Sequence, residues 1–110
     1  MDEIQKYTVR ENKGRARIWI EGARLLAAGF ERGTIYAAST DLHNTMLYLI
    51  VVDDPENYEG VGKLKKVSGK GDRPILDLAG AGCGPFNTGD AVTIEYSHWQ
   101  RMIQIKRDRP

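Results

Sequence analysis

Ala16-Arg-Ile-Trp-Ile-Glu-Gly-Ala-Arg-Leu-Leu-Ala-Ala-Gly-Phe-Glu-Arg-Gly33 decides how this chain is read, because its periodicity changes at each glycine. Up to Gly22, the apolar Ala16, Ile18 and Ile20 alternate with Arg15, Arg17, Trp19 and Glu21, the two-residue period of a half-buried strand. Residues 23–28 are strong helix formers between two glycines, which predicts a helix of one to two turns closed by Gly29 as a left-handed cap. Phe30 follows as a core anchor and Glu31-Arg-Gly33 as a turn. Residues 34–40 and 45–52, rich in β-branched and aromatic side chains, then flank Asp41-Leu-His-Asn44 and read as a hairpin.

The same order returns in Pro74-Ile-Leu-Asp-Leu-Ala-Gly-Ala-Gly-Cys-Gly-Pro-Phe-Asn-Thr-Gly89, followed by residues 91–97 and 102–107 as a second hairpin. Gly22 answers to Gly80, Ile18 and Ile20 to Leu76 and Leu78, Phe30 to Phe86, and Gly33 to Gly89. Such matching argues for duplication. The second connector holds Gly82, Gly84 and Pro85, so it is expected to be a tight loop or one irregular turn rather than a helix. One domain of residues 1–110 is expected, with repeat one at 13–52, a linker at 53–69 and repeat two at 70–107. Tyr7 and Val9 lie at strand spacing and predict a short extra strand against the first repeat.

Composition narrows the function. With 110 residues the chain has room for one core, which excludes most multidomain enzymes. A formal charge of +1 is far below that of proteins living permanently on nucleic acid, so any such binding must use local patches. Those patches exist: residues 1–24 carry +2, 25–60 carry −5, 61–73 carry +4, 74–100 carry −3 and 101–110 carry +3. A single cysteine, Cys83, and no signal-like opening segment lead to the expectation of a reducing, cytoplasmic setting. The longest apolar run, residues 46–52, falls well short of the roughly 20 residues a membrane span needs, so no membrane partner is expected.

The pattern of the first repeat, hydrophobic-x-hydrophobic-x-Gly22, then Leu26-Ala-Ala-Gly-Phe30, then Gly33 and a hairpin, resembles the SymE-like branch of the AbrB/MazE/SpoVT superfamily. The likeness covers about 40 residues closely and about 35 more weakly in the second half, where Gly-x-x-x-Phe-x-x-Gly survives without the helix. It implies a mainly β fold with one short helix. Two interlocked copies in one chain would form a pseudo-twofold swapped-hairpin barrel, with a monomer sufficient and a dimer not excluded. The superfamily holds DNA-binding regulators, antitoxins and SymE toxin-like proteins, and similar tandem modules accompany cytosine methyltransferases in phage genomes. The resemblance implies nucleic-acid or genome-defence biology in a phage or mobile element, and no catalytic residues.

Lys13, Arg15 and Arg17 are read on the outward face of the first strand, where the resemblance places DNA-contacting arginines, and Arg24 follows on the helix. Lys63, Lys65, Lys66 and Lys70 of the linker add mobile ammonium groups suited to phosphate. The plain alternative is a set of solvated surface charges. Trp19 is a stacking or partner-contact candidate against a reading as cross-strand packing, while Trp99 and Arg101 at a hairpin tip and Tyr48 on a strand apolar on both faces are candidates for protein contact. His43 and His98 sit at the hairpin tips without companions, so no metal site and no cofactor is expected. Gly80-Ala-Gly-Cys-Gly-Pro85 lacks the Lys-Ser/Thr of a P-loop and is discounted as one. Cys83 reads as a small buried thiol, and Asp53-Asp54-Pro-Glu56 as an acidic linker.

Three functions remain open at this point. The first is a non-enzymatic nucleic-acid-associated module. The second is a protein-binding inhibitor of a host defence complex, of anti-CRISPR or anti-restriction type. The third, a SymE-like toxin, has no acid–base pair or ligand set to name.

Overall fold

A strand with one apolar face needs a partner surface, and in this chain each repeat finds it in the other. The structure, a computed structural model, describes residues 3–108. In chain order the elements are β1 (Glu3–Thr8), β2 (Arg10–Asn12), β3 (Arg15–Glu21), α1 (Ala23–Ala27), β4 (Ile35–Thr40), β5 (Met46–Val51), β6 (Lys63–Lys66), β7 (Ser68–Lys70), β8 (Arg73–Ala79), β9 (Ala91–Ser97) and β10 (Met102–Arg107). Single 3-10 turns occupy Pro55–Asn57 and Gly80–Cys83. The fold is mainly β, with one short helix and two antiparallel sheets.

The six-stranded sheet has the order β1-β9-β10-β5-β4-β6 and the four-stranded sheet the order β2-β3-β8-β7. Exchanging each of β1 to β5 with β6 to β10 in turn returns both orders read from the opposite edge. Ile18 faces Leu78 and Ile20 faces Leu76 across β3 and β8, while Leu47 faces Ile105 and Leu49 faces Ile103 across β5 and β10. All eight are buried, and they merge with Phe30, Phe86, Leu25 and Cys83 into one core. Cross-pairing thus removes the apolar face of both halves from water at once.

The stretch 53–69 is a linker only in its first part. Residues 63–66 form β6, and residues 68–70 form β7, in the same relation to β8 that β1 and β2 bear to β3. Val67 stands 58 residues after Val9, as Leu76 stands after Ile18, and both valines are 1% exposed. Lysine and glycine are poor strand formers, which hid these strands in the sequence; lysines are nonetheless well suited to an edge such as β6, because they deter pairing with another chain. The four lysines are therefore fixed on strands rather than mobile. The expected N-terminal strand is present as β1, but it ends at Thr8 and pairs with β9 of the second repeat rather than with the first, and Val9 lies between β1 and β2.

Helix α1 ends as its sequence requires. Gly29, at φ 88°, lets the Phe30 N–H reach the Leu25 carbonyl at 2.8 Å and the Gly29 N–H reach Leu26 at 3.0 Å, a Schellman closure that drops Phe30 into the core. Phe30 then packs its ring 5.7 Å from that of Tyr36, whose phenol is pushed up to about 12 by burial. In the second repeat a 3-10 turn replaces the helix, and Cys83 fills the place of Leu25, fully buried with its Sγ donating to the Leu78 carbonyl.

Phe30→Ala and Phe86→Ala are each expected to cost about 3–5 kcal/mol in urea unfolding, because the two rings hold corresponding places in one core; a near-neutral result at either would mean that the halves do not share it. Acid sensitivity follows from three carboxylates. Asp41 is held at about 2 by the Thr45 hydroxyl and the N–H groups of Met46 and Thr45; Asp90 is lowered by the Asn87 N–H and Arg107, and Asp108 by the Thr93 hydroxyl and Lys6. Groups depressed in the folded state add stability above their unfolded value near 3.8 that is lost as pH falls toward about 2. The urea midpoint should therefore drop across that window, and Asp41→Asn should flatten the drop.

Candidate nucleic-acid interface

Strand alternation assigns the outward face of the four-stranded sheet. Since Ile18, Ile20, Leu76 and Leu78 point into the core, Arg15, Arg17, Trp19 and Glu21 of β3 and Arg73, Ile75, Asp77 and Ala79 of β8 point away from it. Arg10 lies opposite Arg17 and Lys70 opposite Arg73, so β2 and β7 extend the same face. Five cations and two carboxylates thus project from these four strands on one side. Lys13 lies in the turn between β2 and β3, at φ 55°, rather than on β3 as its spacing predicts, and it remains exposed at the end of this face.

Both carboxylates are already engaged. Asp77 receives Arg17 in two hydrogen bonds, Nε to Oδ1 at 3.0 Å and Nη2 to Oδ2 at 3.1 Å, and this raises the Arg17 pKa further above its ordinary value. Glu21 receives Arg73 at 3.3 Å. Arg10, Lys13, Arg15 and Lys70 make no ion pair among the described residues. Arg15 donates only to the Ala79 carbonyl, at a long 3.5 Å. The face therefore keeps an excess of positive charge after its internal pairs are formed.

Trp19 is half-buried, with the Arg17 guanidinium 4.5 Å above its ring centroid. Its backbone N–H donates to the Tyr7 hydroxyl at 2.9 Å. Trp19 also walls a polar cleft of about 580 Å³ between β1 and β3, which Arg10, Arg24 and Glu21 line. Arg24 is placed beside Arg10 by this cleft, though its guanidinium is taken by Glu3. Of the lysines on β6 and β7, only Lys70 joins the sheet face. Lys63 and Lys65 line a separate cleft beside the Gly80–Cys83 turn, and Lys66 points to the opposite side of β6.

The protein-contact candidates do not gather in one place. Trp99 is 85% exposed at the β9–β10 tip, where His98 Nδ1 lies 2.6 Å from the Ala27 carbonyl of α1. Arg101 folds over Gly29 and pairs with Asp53. Tyr48 lies on the outer face of β5, near a cross-strand row of Met102, Ile50, Ala37 and Leu64 in which Ile50 and Leu64 are exposed. Among the described residues no group of three or more His, Cys, Asp or Glu side chains converges as a metal site requires, and no helix is long and apolar enough to cross a membrane.

Arg10 and Arg73 were missed by sequence reasoning. Arg73 was detectable, since it stands to Leu76 as Arg15 stands to Ile18. Arg10 was not, because the turn at Lys13-Gly14 that folds β2 back onto β3 has no hydrophobic alternation to announce it. Comparison of the chain with protein-family models, curated proteins and solved structures gave no match. A double-mutant cycle on Arg17 and Asp77 should return only the small coupling of a solvated surface pair, because both side chains are partly exposed. A coupling several times larger would mean that this face is covered.

Proposed function

We propose that this chain is a non-enzymatic, nucleic-acid-associated module of AbrB/SymE type, in which two tandem copies form a pseudo-twofold swapped-hairpin barrel. The palindromic strand order supports the architectural part: each hairpin lies beside the other copy's N-terminal strand, and the two hairpins meet at β5 and β10. The functional part is carried by one observation, the concentration of Arg10, Arg15, Arg17, Lys70 and Arg73 on one sheet face, with Lys13 in the adjoining turn, where the two carboxylates borne by the strands are already occupied. Cations arrayed on a sheet and its adjoining turn, four of them without an ion pair among the described residues, are suited to phosphates spaced along a strand, and Trp19 beneath Arg17 adds a stacking surface. Arg24 serves at the margin of this face. A cytoplasmic protein working without a cofactor, from a phage or mobile element, fits this reading.

Trp99 together with Ile50 and Leu64, exposed on the outer face of the six-stranded sheet, favours a second reading, a protein-binding inhibitor of a host defence complex, since a large exposed indole is a common anchor. The two readings part on salt. Under the first, fluorescence anisotropy with a labelled duplex shows binding whose log K falls linearly with log salt, and Lys13→Gln with Arg15→Gln lowers the slope by about 1 per side chain, equally for unrelated sequences. Asp77→Asn, which releases Arg17, strengthens binding. Lack of binding at low salt, with Trp99→Ala abolishing capture of a host protein, would replace the first reading by the second.

A further inference from the structure

The two copies share a backbone plan but differ in charge at one equivalent place. At the end of the first copy, Arg73 lies over Gly22, its Nη2 3.8 Å from where a Cβ would stand, and is neutralised by Glu21. Arg24 in the adjoining cleft is neutralised by Glu3. In the second copy Arg15 lies over Gly80 so closely that a Cβ would collide with its guanidinium. Here the place of Glu21 is taken by Ala79, that of Arg24 by Gly82, that of Tyr7 by Lys65 and that of Gln5 by Lys63. Both carboxylates have gone, and two ammonium groups have arrived.

These groups converge on a defined space. A cleft of about 260 Å³ lies between β6 and the Gly80–Cys83 turn, lined by Lys63, Lys65, Thr40, Leu47, Gly82 and Gly84, with no carboxylate on its wall. Lys63 and Lys65 alternate with Leu64 and Lys66, so both face inward, opposite Ala38 and Tyr36 of β4. The Lys65 Nζ would be 3.1 Å from a Cβ on Gly82, so it rests against the turn with no intervening side chain. Neither lysine has an ion-pair or hydrogen-bond partner among the described residues, although Lys65 is half-buried. Replacing a helix by a glycine turn removes the side chain that would fill this space. The cleft is smaller than the roughly 300–1,000 Å³ of sites for drug-sized molecules, which fits a compact charged group rather than a base.

We propose that this cleft is a binding site for a phosphomonoester, its dianion neutralised by Lys63 and Lys65. Two sources share that chemistry: a free phosphate compound and the terminal phosphate of a nucleic-acid strand. The site uses lysines outside the four-stranded sheet face, so it stands or falls separately from duplex binding there.

Amide NMR of the full chain, titrated with inorganic phosphate at constant ionic strength, tests the proposal. Saturable shifts confined to Ala81, Gly82 and Gly84 and their neighbours on β6 are expected. Lys63→Gln with Lys65→Gln should weaken them by about tenfold or more, whereas Lys13→Gln with Lys70→Gln leaves them unchanged. Shifts spread over every surface lysine, or saturation unaltered in the Lys63→Gln, Lys65→Gln protein, would overturn the site. A short strand bearing a 5′-phosphate that binds about tenfold more tightly than its 5′-hydroxyl form assigns the terminal phosphate; equal affinities with phosphate still saturating the turn assign the free compound. Duplex binding lost while the phosphate titration persists removes the sheet-face reading and supports this one, and the converse result removes this one alone.

Discussion

Val9 and Val67 are the single residues at which the chain passes directly from the six-stranded sheet into the four-stranded one, and the rest of the fold depends on how they are held. The Val9 N–H donates to the Asp90 carbonyl at 2.9 Å and its carbonyl accepts from Gly89 at 2.8 Å; the Val67 N–H donates to Thr34 and its carbonyl accepts from Gly33, both at 2.9 Å. Each valine thus has both backbone groups paired to the turn that opens the opposite copy's hairpin. Their side chains are buried in the shared core. A strand that switches sheets at a corner needs such pairing, because the crossing otherwise strands buried polar groups. Gly33 and Gly89, each at φ 91°, supply the left-handed backbone that aims the donating N–H.

This reciprocal clasp explains which features of the sequence were legible. Alternation revealed β3 and β8, and the glycine-bounded run revealed α1, because in each the pattern is imposed by a core face or a cap. The hairpins followed from β-branched and aromatic content. What stayed hidden was β6 and β7, whose residues Lys63 to Lys70 are almost all polar. Those strands are set by backbone pairing to β4 and β8, an interaction that leaves no side-chain signature. The one trace was Val67, matched to Val9 across a spacing that also relates Leu76 to Ile18. The candidate site was legible to the same degree: β3's own cations could be read from alternation, but β2 and β7 join that face only through turns and register.

Near-neutral net charge and a cationic face are compatible because the fold sorts charge by position rather than by amount. The acidic stretch Asp53-Asp54-Pro-Glu56 lies in the connection between the copies, and Asp53 there binds Arg101 at the hairpin tip. Asp90 and Asp108 are consumed by Arg107 and Lys6 along the six-stranded sheet. On the four-stranded face Asp77 and Glu21 pair with Arg17 and Arg73, and Arg10, Lys13, Arg15 and Lys70 are left without an ion pair among the described residues. Screening over roughly 8–10 Å means that such local excess, not the total, governs what the surface attracts.

The two halves share one strand plan but differ in the connector that precedes the hairpin. The first connector must be a helix, since Leu25 reaches the core from it and Phe30 is delivered by the glycine cap. In the second, Cys83 reaches the same core from a single 3-10 turn, and the Phe86 N–H bonds to the Cys83 carbonyl at 3.3 Å in place of the helix closure. With core filling and anchor delivery both met by six residues, Gly80 to Pro85, no helix surface is needed there. Side chains that would have covered β6 are absent, and Lys63 and Lys65 reach the turn directly. An element reduced to its structural minimum in one copy, while its twin remains complete, turns a packing surface into an open and positively charged recess.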